Sequence, residues 1–352
     1  MAAKTKKVPV PRTGISRCWS TTGAEVSCDG SGQDGEWTAG ASWPEPRFED
    51  NDDGTVTDRL TKLVWLRDAD RFGEVTWLDA LRLCRELSAG GELDDGSAAG
   101  DWRLPNIKEL LSLVSYGGAA PALPSGHPFQ RVRNAIYWTS TSLASAPALA
   151  WMVTLGIAPA VFNLKGNACC MWPVRGEGRI GRTGQTQCWD DLGRAIDGAG
   201  SGQDGDLQAG VAAPDPRFHD EGDGTVTDRL TGLVWLRDAG AFGWCRWEQA
   251  LEKAGRLCDG VHGLSDGSEP GDWRLPNVRE IETLVDYGHV NPSLPEDQAF
   301  ENLAPTSYWT STPVASAPTQ AMFTIFGVGP TIFENKEHTL MGWAVRDPKG
   351  AS

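Results

Sequence analysis

Residues 54–69 read GTVTDRLTKLVWLRDA and residues 224–239 read GTVTDRLTGLVWLRDA, a single difference at an offset of 170. The register persists downstream: GDWRLPN recurs from Gly100 and Gly271, YWTST from Tyr137 and Tyr308, and W-x-V-R from Trp172 and Trp343. One inserted residue ahead of GDWRLPN raises the offset to 171. Each copy far exceeds the ~20–50 residues of a solenoid repeat, so the chain is two whole domains in tandem. The expected organisation is a tail over 1–10, a first domain over 11–176, a Gly- and Arg-rich linker over 177–182 and a second domain over 183–348.

Within each copy, polar and apolar residues alternate around Asp53-Gly54 and around Leu60-Thr61-Lys62, which predicts consecutive short hairpins. Thr76 and Asp79 open a helix that places Trp77, Leu81, Cys84 and Leu87 on one face. Asn106 and Glu109 cap a second helix lined by Ile107, Leu110, Leu111 and Val114, and Asn277 with Glu280 repeat that cap. After a Pro-rich stretch, strands are expected over 136–141, 149–155, 160–164 and 170–174. Two helices and short antiparallel strands per domain make an α+β class.

Lys and Arg number 32 against 47 Asp and Glu, and the net charge of −15 repels a phosphate backbone, which excludes nucleic acid as a partner. No apolar run approaches the ~20 residues of a membrane-spanning helix. His127, His219, His262, His289 and His338 fall at non-equivalent places in the two copies, and neither H-E-x-x-H nor C-x-x-C occurs. A non-enzymatic protein is therefore expected. The G-x-G-x-x-G stretches at 30–35 and 200–205 lead into Pro-containing loops, not a helix, and read as glycine turns instead of a dinucleotide site.

Residues 50–54 and 220–224 resemble the start of a calcium loop, but loop position twelve falls on Leu60 and Leu230, where a bidentate Glu is required. Asp53 with Asp58, and Asp223 with Asp228, stay as candidates for a looser calcium site, against the plainer alternative of hairpin turns with solvated carboxylates. Asp95 with Asp101, and Asp266 with Asp272, form a second acidic loop of the same kind.

Tryptophans sort by recurrence. Trp19/Trp189, Trp65/Trp235, Trp77/Trp247, Trp102/Trp273, Trp138/Trp309 and Trp172/Trp343 recur and are expected in the core. Trp37, Trp43, Trp151 and Trp244 have no counterpart and are candidates for stacking on a sugar or a partner. Among the 8 cysteines only Cys18 and Cys188 are equivalent. Cys18 and Cys28 flank a turn-rich loop that a disulfide would close, whereas Gly198 holds the second position in the other copy. Cys84 is a candidate partner for Cys169 or Cys170. Cysteines that vary between copies suit optional disulfides better than metal ligands and favour an oxidising compartment.

The recurring words GTVTDRLTGLVW, the W-x-x-AL helix, GDWRLPN-x-x-EL, YWTST and WPVR or WAVR resemble the bacterial domain once called DUF1566, named after the C-terminal domain of the Legionella collagen-like adhesin. The resemblance covers nearly all of both copies. It implies two tandem C-type-lectin-like domains and ligand binding or adhesion outside the cytoplasm. The adhesin's sulfated polysaccharide does not transfer to so acidic a chain, and the lectin calcium motifs are absent: Leu104-Pro105-Asn106 lacks the acid and YWTST lacks Asn-Asp. A Lys-rich start before P-x-T-G resembles the mature start of exported members, so a periplasmic, cell-surface or secreted location is expected, with the signal peptide not part of this sequence. The same fold class includes formylglycine-generating enzymes, but Leu340-Met341 replace Cys169-Cys170 in the second copy and leave that activity remote.

The expected function is a tandem binding module for a glycan or a surface protein, with a self-associating structural subunit of a cell-surface assembly or fibre as the rival. Loops and closing strands on a rigid scaffold commonly carry recognition. They supply Trp151, Asn163 and Lys165 in the first copy and Phe323, Glu334 and Lys336 in the second as candidate ligand residues.

Overall fold

The Asp-Gly pairs turn the chain where the pattern places them. Gly54 sits at φ +89°, and a Cβ there would lie 2.5 Å from the Glu92 carbonyl, a position only glycine accepts. In the computed structural model, which describes residues 7–118, 120–156 and 160–348, this turn joins strands Phe48–Asp50 and Thr55–Asp58. Residues 1–6 of the expected tail lie outside the described residues. Val64–Leu66 and then Val174–Arg175 complete a four-stranded antiparallel sheet. The second copy repeats it with Phe218–Asp220, Thr225–Asp228, Val234–Leu236 and Val345–Arg346.

Six helices punctuate the described residues: α1 (Asp34–Trp37), α2 (Trp77–Glu86), α3 (Ile107–Leu113), α4 (Asp204–Leu207), α5 (Trp247–Gly255) and α6 (Val278–Leu284). Thr76 caps α2, and Asn106/Glu109 and Asn277/Glu280 form reciprocal capping boxes on α3 and α6. The predicted face of α2 is buried: Trp77 and Cys84 are fully covered, and Leu81 and Leu87 nearly so. The single-turn helices α1 and α4 are additions to the expected two per copy. Each follows a G-x-G stretch, where Asp34 or Asp204 supplies a first-turn acid.

The closing strands form a second sheet in the order Glu74–Val75, Cys169–Cys170, Ile136–Ser142, Leu149–Thr154 and Ala160–Leu164. Its pairings are antiparallel apart from Cys170 against Tyr137. The expected last strand over 170–174 is divided between the two sheets. Pro173 lacks an N–H for a continuing ladder, and its carbonyl instead accepts from Leu66 N at 3.1 Å. The chain is thus mainly antiparallel β with short helices, and recurrent aromatic rings fill its core. Trp172 meets Trp65 at 5.6 Å and Phe129 at 4.8 Å between centroids, and Trp343 repeats this with Trp235 at 5.0 Å and Phe300 at 4.7 Å. Of the recurring tryptophans only Trp189 is partly exposed.

Packing divides the chain elsewhere than at the 11–176 and 183–348 boundaries. One compact unit is continuous, Ser42–Val211; the other is split, combining the chain up to Ala41 with the chain from Ala212. Each unit therefore joins one repeat body to a lead segment, 7–41 or 177–211, that precedes the other repeat body. Both lead segments are built alike. A short hairpin (Cys18–Trp19 with Glu25–Val26, or Cys188–Trp189 with Ala195–Ile196) precedes the helical turn, and a parallel bridge ties Pro11 to Ala41 or Gly181 to Val211.

Candidate ligand-binding groove

The glycine turns of the lead segments explain themselves once their partners are located. Gly30 and Gly32, both at positive φ, aim their N–H groups at Glu36, whose two carboxylate oxygens accept at 2.6 Å each. Successive backbone N–H groups of this kind make an anion-binding nest. Here the chain's own carboxylate fills it. In the continuous unit Asp206 accepts from Gly202 N at 3.0 Å.

In the split unit this loop stands opposite α5 and the two leave an open groove of about 670 Å³. Val26, Gly32, Glu36 and Trp37 line one wall, while Glu248, Leu251, Glu252, Gly255 and Arg256 line the other. The Arg274 guanidinium lies 5.7 Å from the Trp37 ring centroid and braces it. Arg256 pairs with Glu252 at 2.8 Å, so the groove carries an indole and a leucine with a predominantly acidic rim. The continuous unit differs at several of these positions. Arg85 occupies the place of Gly255, and its Cδ lies 3.0 Å from where a Cβ on Gly202 would stand, laying the side chain over the glycine loop.

The closing-strand candidates serve the fold. Lys165 and Lys336 are buried, and each is caged in the same way. Lys336 Nζ donates to the Trp19 and Ser20 carbonyls at 3.0 and 3.2 Å and sits 4.2 Å from the Trp247 ring centroid. Lys165 Nζ donates to the Trp189 and Asp190 carbonyls at 3.3 and 3.2 Å, 4.0 Å from Trp77. Burial pulls both ammonium groups down to about 8. These lysines fasten the lead segments and are not ligand contacts. Trp151 and Phe323 are buried too, packed edge-on to Phe162 and Trp309. Asn163 and Glu334 remain partly exposed on the edge strands, where Asn163 Oδ1 accepts from Asn167 and Glu334 pairs with His338 at 3.1 Å.

The calcium candidates are likewise occupied. Asp58 is fully buried and accepts from Arg47 Nε and Nη2 at 3.3 and 3.0 Å, Leu60 N at 3.0 Å and Thr61 Oγ1 at 2.9 Å. Asp228 repeats this with Arg217, Leu230 and Thr231. A carboxylate with these acceptor positions taken, beside a guanidinium, has nothing left for a cation. Asp53 and Asp223 each accept from the N–H and hydroxyl of the following threonine, Thr55 or Thr225, as turn residues. Asp95 and Asp266 hold Arg175 and Arg346, both at 3.1 Å. Asp101 and Asp272 accept from Ala98 N and Glu269 N. Among the described residues no cluster of three or more His, Cys, Asp or Glu has metal-binding geometry.

The sequence profile of the Lcl C-terminal domain matches residues 54–175 and 224–346, more than half of the chain. The chain belongs to the Lcl C-terminal domain family. No curated protein matches it. Both Lcl C-terminal domain matches contain a helix of the groove type, α2 or α5, and both exclude the lead segments. One groove wall thus lies within the family match and the other outside it.

Cys18 and Cys28 form the disulfide that ties the lead segment of the split unit. Cys84, Cys169, Cys170, Cys188, Cys245 and Cys258 are free, so Cys84 does not bridge to Cys169 or Cys170. Burial pushes the Cys170 thiol up to about 11, the opposite of an activated nucleophile. Of the unmatched tryptophans, Trp37 lines the groove, Trp43 stacks under Arg47 and Trp151 is core, while Trp244 is 61% exposed. On the edge strand of the continuous unit, Phe162 and Leu164 are 47% and 54% exposed on one side. Sequence reasoning passed over Glu36, Arg85 and Gly255. The available signal was a glycine standing in one copy where the other has arginine, at the end of a helix whose buried Trp, Ala and Leu match.

Proposed function

We propose that the chain is a non-enzymatic, extracytoplasmic binding module of adhesin type, and that the groove of the split unit is where it holds a glycan or a surface protein. The observation that carries this reading is the groove itself, in which Gly255 stands beside Trp37 where the other copy has Arg85. An indole wall suits the apolar face of a sugar ring, and rim carboxylates at Glu248 and Glu252 accept from hydroxyl or amino groups. The acidic rim and the net charge of −15 disfavour sulfated polysaccharides and favour neutral or amino sugars. Membership of the Lcl C-terminal domain family and the Cys18–Cys28 disulfide support an extracellular location. No described helix is long and apolar enough to cross a membrane. A C-type-lectin-like arrangement belongs to the same reading, supported by the two longer helices that precede the closing strands of each repeat.

The test is a glycan array probed with the wild type, Gly255→Arg and Trp37→Ala, each with millimolar calcium and again with chelator. Selective binding is expected for the wild type, unchanged by chelator and lost in both variants at unaltered melting temperature. Wild-type binding by both variants would sink the groove assignment, and binding lost on chelation would contradict the metal-free site. The structural-subunit reading rests on the edge strand carrying Phe162 and Leu164, an unpaired sheet edge of the type that pairs with another chain. Concentration-dependent assembly in sizing chromatography that is abolished by Phe162→Lys with Leu164→Lys is its signature.

A further inference from the structure

The split unit is made of two pieces of chain with no peptide bond between them inside the unit: its lead segment leaves at Ala41 into the continuous unit, and its body begins at Ala212. Within that unit the segment is held by non-covalent interactions alone. It is also a self-closed body. Ala41 N donates to the Val10 carbonyl at 2.7 Å, Cys18 bridges to Cys28, and Gln33 both accepts from Trp19 N at 3.0 Å and donates to Trp19 O at 3.2 Å. Its docking bonds include Lys336 to the Trp19 and Ser20 carbonyls, Thr312 Oγ1 to Asp34 at 2.7 Å, Asn277 to the Ala39 carbonyl at 3.4 Å and Val8 N to the Leu230 carbonyl at 2.8 Å.

The same docking code operates in the other unit, with Lys165 on Trp189 and Asp190, Thr141 on Asp204 at 2.6 Å, and Asn106 on Ala209 at 3.2 Å. The code therefore forms whether the lead segment precedes its repeat body in the chain, as in the split unit, or follows it, as in the continuous one. We propose that the receiving face of the split unit, centred on Asn277, Thr312 and Lys336, also accepts the lead segment of a second copy of this chain, so that two chains pair by reciprocal exchange. Exchange of an identical element costs little, because every docking bond broken within one chain re-forms with the other.

The experiment uses the full-length chain carrying a specific protease site between Ala41 and Ser42. After cutting, the lead segment is expected to co-elute with the remainder. An excess of labelled, oxidised peptide 7–41 should replace it, and a peptide with Asp34→Leu should do so at least tenfold less well. The uncut chain, refolded from denaturant over a hundredfold range of concentration, should give a dimer fraction that falls at least tenfold at the dilute end and survives Phe162→Lys with Leu164→Lys. A cut segment that labelled peptide never replaces overturns the proposal, as does an uncut chain that stays monomeric throughout. If cutting unfolds the split unit, added peptide must restore it, and failure to restore counts equally against exchange.

Discussion

In the continuous unit α2 ends in Arg85-Glu86 and its arginine lies across the glycine loop of the neighbouring lead segment; in the split unit α5 ends in Gly255 and that loop meets Leu251 instead, beside the groove. The two helices otherwise share their buried face, Trp77/Trp247, Ala80/Ala250 and Leu81/Leu251. The packing side of the helix is the same in both copies, while its other side differs at several positions, Arg85 against Gly255 among them. The lysine cages show the converse. Lys165 and Lys336 bond in the same way in both units, so they belong to the scaffold, while the position that differs is the better candidate for function.

Several substitutions would break or sharpen that contrast. The largest effect is expected from exchanging the two helix ends. Gly255→Arg should weaken ligand binding by more than tenfold, whereas Arg85→Gly should leave the binding stoichiometry unchanged, because Leu207, Leu78 and Arg82 stand where the groove has Trp37, Glu248 and Glu252, both measured by titration calorimetry with the array-selected ligand. Next, Lys336→Met should cost on the order of 2–3 kcal/mol, because two buried carbonyls lose a charged donor. It should also expose residues 7–41 to proteolysis. Lys165→Met loses the same bonds but leaves its segment tethered in a continuous chain, so its proteolytic signature should be weaker. Equal susceptibility in both variants would remove the distinction between split and continuous units.

Third, Gly198→Cys should copy the Cys18–Cys28 bridge into the continuous unit, since a Cβ at Gly198 would stand 2.5 Å from Cys188 Sγ. A gain of about 2–3 kcal/mol that disappears under reductant is expected from closing a short loop. The smallest effect is a pH dependence. Burial raises the Asp34 carboxyl from 3.8 to about 7 and that of Asp204 to about 6. The folded chain therefore binds more protons than the unfolded chain between about 4 and 7, and its stability falls as pH rises through that window. Asp34→Asn should flatten the slope, raising the melting temperature by a few degrees at pH 8 and leaving it unchanged at pH 4.

Much of this was legible in residues alone. The duplication, the Asn106/Glu109 and Asn277/Glu280 caps, the core role of the recurring tryptophans and the Cys18–Cys28 bridge all follow from local spacing or from comparing the copies. The closing-strand candidates misled because alternation predicts which residues share a face but not which face is covered. Lys165 and Lys336 read as exposed cations until the lead-segment carbonyls are seen above them. Asp58 and Asp228 read as free carboxylates because Arg47 and Arg217 lie eleven residues away in sequence, across a strand pairing.

The sequence by itself determined two copies of one domain, their helices and hairpins, and their family. Those features depend on interactions between residues close in the chain or on direct comparison of the copies. Tertiary structure alone decided which lead segment completes which repeat body, where buried charge is caged and where a groove stays open. Each of those depends on interactions between residues tens to hundreds apart, as between Lys336 and Trp19, and no local pattern encodes which of two equivalent partners a segment will meet.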